Sequence, residues 1–185
     1  ARSGPDGIDD HPDVCPMRYR QSAIAVLLVV VAIAVQTTLF ARLRPFDAAP
    51  ALVVLMVIAV SRHLDPEVAL IVGFGAGVTS DLLGESPLGL WALVMTGVAY
   101  AVVRLRDRFE DDYTLLAPGV FIITLAALTL FATLGTIFGE KTLADSALLR
   151  KMLLPSLYNV ALGIAVLPTV TIALGRGSSR SGWDL

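Results

Sequence analysis

Asp81 is the residue whose type and setting call first for a chemical account. It closes the run Gly73-Phe-Gly-Ala-Gly77-Val-Thr-Ser-Asp81-Leu-Leu-Gly84, and no other charge occurs from 68 to 80. At helical spacing Ala69, Gly73, Gly77 and Asp81 share one face, beside Ala76 and Ser80. Small residues in such a stripe let another helix approach closely. A carboxylate at its end can accept hydrogen bonds or carry a proton. Two amides in other apolar runs could join it: Gln36, in Gln36-Thr37-Thr38, and Asn159, which follows Pro155 and Ser156. General acid–base catalysis would need a second group to share the work with Asp81, and no second acid or histidine lies inside the apolar runs. His11 and His63 are the only histidines and stand far apart, so no paired-histidine zinc motif can be assembled. Cys15 is the single cysteine and has no partner for an internal disulfide. No GK[ST] phosphate loop, HExxH or nucleophile elbow occurs. The expectation is no catalytic residue, no cofactor and no metal.

The elements that must position these groups follow from composition. The chain has 185 residues, 56% hydrophobic and only 16% charged, with a mean hydropathy of +0.76. Soluble domains carry roughly 25% charged residues. Here charge is shut out of whole stretches, at 21–41, 48–61, 68–80, 86–103, 114–139 and 152–175. About 20 apolar residues suffice for a helix to cross a hydrocarbon core roughly 30 Å thick. The pattern is that of an all-α polytopic membrane protein and excludes an ordinary soluble enzyme. Fourteen Lys+Arg against sixteen Asp+Glu leave a net charge of -2, so no basic surface for nucleic acid is expected.

Six helices are predicted, over Ser22–Phe40, Pro50–Ser61, Pro66–Leu83, Leu88–Val103, Leu115–Phe138 and Met152–Leu174. Residues 1–16, rich in proline, glycine and aspartate, read as a disordered arm, and Met17 reads as a natural start. The membrane domain is expected over 17–175 and a flexible Gly/Ser tail over 176–185. Two arrangements are open for 48–83: two short spanning helices with Arg62 snorkelling, or a re-entrant hairpin. Segment 140–152 is either a short interfacial helix or an irregular loop. Arg104–Asp112, alternating in sign, reads as a solvated loop.

Orientation comes from Lys and Arg in the connecting segments. With the N-terminus inside, the inner segments hold nine (Arg2, Arg18, Arg20, Arg62, Arg104, Arg106, Arg108, Arg176, Arg180). The outer ones hold five (Arg42, Arg44, Lys141, Arg150, Lys151). Both termini are therefore expected in the cytoplasm. That topology puts Gln36, Asp81 and Asn159 together in the outer leaflet. They are expected to form a structural polar cluster pinning helices 1, 3 and 6, with Gly73, Gly77 and Gly89 serving helix packing. Alternatively, Asp81 is a snorkelling acid at the end of a packing face. If the acid is only structural, Asp81→Asn should be tolerated.

Several short motifs together resemble the MreD family of bacterial rod-shape-determining proteins. They are Gln36-Thr-Thr-Leu39, Pro50, the run Gly73-x-x-x-Gly77-x-x-x-Asp81-Leu82-Leu83, the turn Pro87-Leu88-Gly89-Leu90 and Tyr100, within about Met17 to Leu174. One departure is Ala51, where the family often carries an acid or amide. The resemblance implies a non-enzymatic subunit of the cell-elongation machinery in the bacterial inner membrane. Its partners would be MreC and, through it, MreB and the peptidoglycan synthase pair of RodA and its transpeptidase. It also implies a fold like that of the substrate-binding subunits of energy-coupling-factor vitamin transporters, which supplies an alternative function. Those subunits usually carry A-x-x-x-A on helix 1. Here Ala23, Ala25, Ala32 and Ala34 are followed four residues on by Leu27, Val29, Gln36 and Thr38, so that docking pattern is missing.

Overall fold

The computed structural model describes residues 16–38, 51–84, 87–110, 116–139 and 148–175. These form six helices and, among the described residues, no strand. They are α1 (Pro16–Thr38), α2 (Leu52–Ser61), α3 (Pro66–Leu83), α4 (Leu90–Glu110), α5 (Leu116–Ile137) and α6 (Leu148–Gly175). Four of them, α1, α3, α5 and α6, are long and apolar enough to cross a membrane. The protein is an all-α, multi-pass membrane bundle. The expected arm, apart from Pro16 at the start of α1, the expected tail 176–185 and residues 140–147 lie outside the described residues.

The organising element is α2. Its sequence, LVVLMVIAVS, is apolar on every side, and Val53–Leu55 and Val57–Ser61 are buried. A helix that is apolar all round belongs in a core, and α2 touches all five other helices. Ten residues rise only about 15 Å, half the hydrocarbon thickness. The partner segment α3 is long and apolar enough to cross a membrane, and the turn 62–65 joins the end of α2 directly to its start. Helix α2 runs parallel to α6 in fixed register. Asn159 on α6 bonds Ala51 and Thr171 bonds His63, and both pairs are 108 residues apart.

Packing of α3 against α4 depends on two glycines. A Cβ on Gly77 would collide with the Ala92 backbone and come within 2.5 Å of the Trp91 carbonyl oxygen. One on Gly73 would meet the Ala99 Cβ and the Met95 carbonyl oxygen at 2.9 Å. Gly89 differs from the packing role expected of it. Nothing lies within 4 Å of a Cβ built there, and its φ of +95° is the reason for glycine. It makes the turn that reverses the chain into α4.

Two helix bounds differ from expectation. The expected loop Arg104–Asp112 is helical as far as Glu110. The Arg104 Nε donates to the Tyr100 hydroxyl at 3.1 Å, and its guanidinium lies 5.2 Å from the Tyr100 ring centroid. Further along, Arg106 donates to the Leu64 carbonyl at 3.4 Å, tying α4 to the turn between α2 and α3. At the other end of the chain, α6 starts at Leu148 rather than Met152. Pro155 and Pro168 both fall inside it.

Candidate functional site

Asp81 sits in the last turn of α3, 3% exposed, and faces the start of α4. Its Oδ2 accepts the N–H groups of Gly89 at 2.9 Å and Ala92 at 3.1 Å. Its Oδ1 accepts that of Trp91 at 3.0 Å. The first N–H groups of a helix have no partner within it, and a carboxylate suits the positive end of the helix dipole. Asp81 thus caps α4 from the neighbouring helix. It reaches that position because Gly77, one turn earlier, lets the two backbones touch.

Gln36 and Asn159 converge on a different place, the start of α2. The Gln36 Oε1 accepts the Val53 N–H at 3.0 Å. The Asn159 Nδ2 donates to the Ala51 carbonyl at 2.9 Å and to the Thr124 hydroxyl oxygen at 3.3 Å. Asn159 and Thr124 are both 0% exposed. A carbonyl only accepts, so the amide nitrogen has to face Ala51. The Asn159 Oδ1 is left with no hydrogen-bond partner among the described residues.

The expected three-residue cluster is therefore divided. Gln36 and Asn159 grip the same end of α2 from α1 and α6, while the hydrogen bonds described for Asp81 go to α4. With α6 beginning at Leu148, Asn159 lies about 16 Å along the helix axis from its first residue.

Between the two capped helix starts lies a cavity of about 190 Å³. Ile33, Gln36 and Thr37 line it from α1, Val53 and Val54 from α2 with Ala51 just before it, Ser80 and Leu83 from α3 with Gly84 just after it, and Trp91 and Met95 from α4. Among the described residues no charged side chain lines it. The Trp91 ring is held by stacking on Phe131 of α5, with centroids 4.3 Å apart. Among the described residues no three His, Cys, Asp or Glu side chains come together as a metal site would require.

Thr124 and Trp91 were not among the residues singled out from the sequence. Thr124 is one of many threonines in apolar stretches. Thr129, Thr133 and Thr136 all donate to a carbonyl of their own helix four residues back, and nothing in the sequence sets Thr124 apart from them. Trp91 carried a usable signal, an aromatic residue just after the Pro87-Leu88-Gly89-Leu90 turn.

Residues 18–173, which span all six helices, match the family model of MreD, the rod shape-determining protein. The chain belongs to the MreD family. No curated protein and no solved structure matched it. It is thus a rod-shape protein of the multi-pass inner-membrane type, and the MreD match includes both the α4 cap and the two amides at the start of α2.

Proposed function

We propose that this MreD-family chain is a non-enzymatic integral subunit of the cell-elongation machinery. In this reading it binds MreC and so helps couple MreB to peptidoglycan synthesis by RodA and its transpeptidase. The family match over 18–173 carries the reading. The site geometry supports it: both Asp81 oxygens accept backbone N–H groups, and the Gln36 Oε1 and the Asn159 Nδ2 hold the start of α2. These contacts use the polar groups to fix helix ends. We further take both termini to be cytoplasmic, from the bias of nine Lys and Arg against five.

The cavity bears on the transporter alternative. At about 190 Å³ it is smaller than the roughly 300–1,000 Å³ of pockets that enclose cofactor-sized ligands. This favours the structural subunit over a vitamin-binding one. Depletion in a rod-shaped host should make cells swell and round up, and MreC should co-purify in mild detergent. Cells that keep their width while vitamin uptake falls would replace this reading with the transporter.

A further inference from the structure

The hydrogen-bonding capacity of the cavity among α1, α2, α3 and α4 can be worked out atom by atom. Gln36 contributes a donor. Its Oε1 is occupied by the Val53 N–H, and because a backbone N–H only donates, the oxygen has to be the atom on that side. The amide's Nε2 is left as the group that can serve an incoming molecule. Thr37 and Ser80 contribute acceptors. The Thr37 hydroxyl donates to the Ile33 carbonyl at 2.9 Å and that of Ser80 to the Ala76 carbonyl at 2.8 Å. Each has its proton committed to its own helix and only lone pairs to offer. The remaining wall is apolar, from Ile33, Val54, Leu83 and Met95, with Trp91 fixed in place by Phe131.

This combination narrows the occupant. An ion would find no countercharge among the described lining residues, and burying an unpaired charge is costly. A purely apolar group would leave the Gln36 donor without a partner. What matches is a small neutral group with one acceptor, one donor and an aliphatic body. We propose that the cavity receives a single neutral peptide unit bearing an aliphatic side chain. Its carbonyl accepts from the Gln36 Nε2, its N–H donates to the Thr37 hydroxyl oxygen, and its side chain packs on Ile33, Val54 and Met95. The assignment concerns the chemistry of the cavity and holds whether or not MreC presents the peptide.

Trp91 gives a direct readout. The chain has two tryptophans, so Trp183→Phe leaves Trp91 as the sole emitter in the full-length protein. The protein in lipid nanodiscs is titrated with N-acetyl-leucine amide, with the carboxylate N-acetyl-leucine and with hexan-1-ol. The amide should give a saturable change in Trp91 emission, and the other two should bind at least about tenfold more weakly. Thr37→Val removes one acceptor at an exposed position and should weaken the amide about 2- to 10-fold, the range of one hydrogen bond. Ser80→Leu fills the space and should abolish the change. Hexanol binding as tightly as the amide would reduce the cavity to an apolar void and overturn the proposal. So would tight binding of the carboxylate, or a linear response to all three probes. If Ser80→Leu lowers the melting temperature sharply, Thr37→Val decides the matter, and unchanged amide affinity in that variant overturns the assignment.

Discussion

The Asn159 side-chain nitrogen donates to the Ala51 carbonyl at 2.9 Å across 108 residues of sequence. One amide on the last helix thereby fixes where the central helix begins. Hydrogen bonds between membrane helices are worth about 0.6 kcal/mol on average and up to about 1.7. Asn159→Leu should therefore lower the melting temperature in detergent by a few degrees. Asn159→Asp should do worse, because it sets a carboxylate oxygen against the Ala51 carbonyl. Thermal unfolding of both variants checks the order, and an equal or milder effect of Asp would show that Ala51 is not the partner that matters.

Asp81→Asn was expected from the sequence to be harmless if the acid is structural. The geometry reverses that expectation. Both carboxylate oxygens accept N–H groups, and asparagine offers one oxygen and an NH₂ that would face another donor. The substitution should destabilise by about 1–3 kcal/mol, the cost of leaving buried donors unpaired. Asp81→Leu should cost more. Melting temperature is measured alongside complementation of rod shape, and loss of shape without loss of stability would point instead to a requirement for the charge.

The glycines of α3 should separate cleanly. Gly77→Ala forces the α3 and α4 backbones apart and should cost about 1–3 kcal/mol or more, as overpacking does. Gly73→Ala, held at 2.9 Å from a side-chain carbon and a carbonyl oxygen, should be milder. Gly75→Ala meets nothing within 4 Å and should be neutral or slightly stabilising, as alanine is in a helix interior. Melting curves for the three variants test the ranking, and a Gly77→Ala protein as stable as the Gly75→Ala one would contradict the close approach.

Topology is open to a simple reporter experiment. Fusions after Asp111 and at the C-terminus should be active on the cytoplasmic side, and one within 140–150 should report the outside. The reverse pattern at all three sites would invert the orientation, and a mixed pattern would contradict six helices.

The helix count was legible because lipid enforces it: charge has to leave each crossing, and the uncharged runs mark α1, α3, α5 and α6. The central place of α2 was not legible. Its apolar sequence is equally at home against lipid or protein, and only the burial of Val53–Ser61 among five neighbours tells them apart. Asp81 stood out by type, yet its partners are backbone N–H groups at 89–92, which leave no mark in a sequence. Gln36 and Asn159 were visible as polar residues in apolar runs. Their common target was hidden because Ala51 and Val53 take part through main-chain atoms. The helical course of Arg104–Glu110 was missed because alternating charge signals water, and a helix can continue into water as readily as a loop.

The burial of α2 has a consequence for how the protein is made. Ribosomes deliver the chain from its N-terminus, so α2 enters the membrane long before α6 exists. Until α6 arrives, the Ala51 carbonyl and His63 lack the Asn159 and Thr171 that bond them in the finished bundle, and the flanks of a 15 Å helix are exposed to hydrocarbon. Its lasting place in the bilayer therefore depends in part on a helix translated long after it. A chain stopped ahead of Leu148 would hold the start of α2 through Gln36 alone and lack the bonds from Asn159 and Thr171.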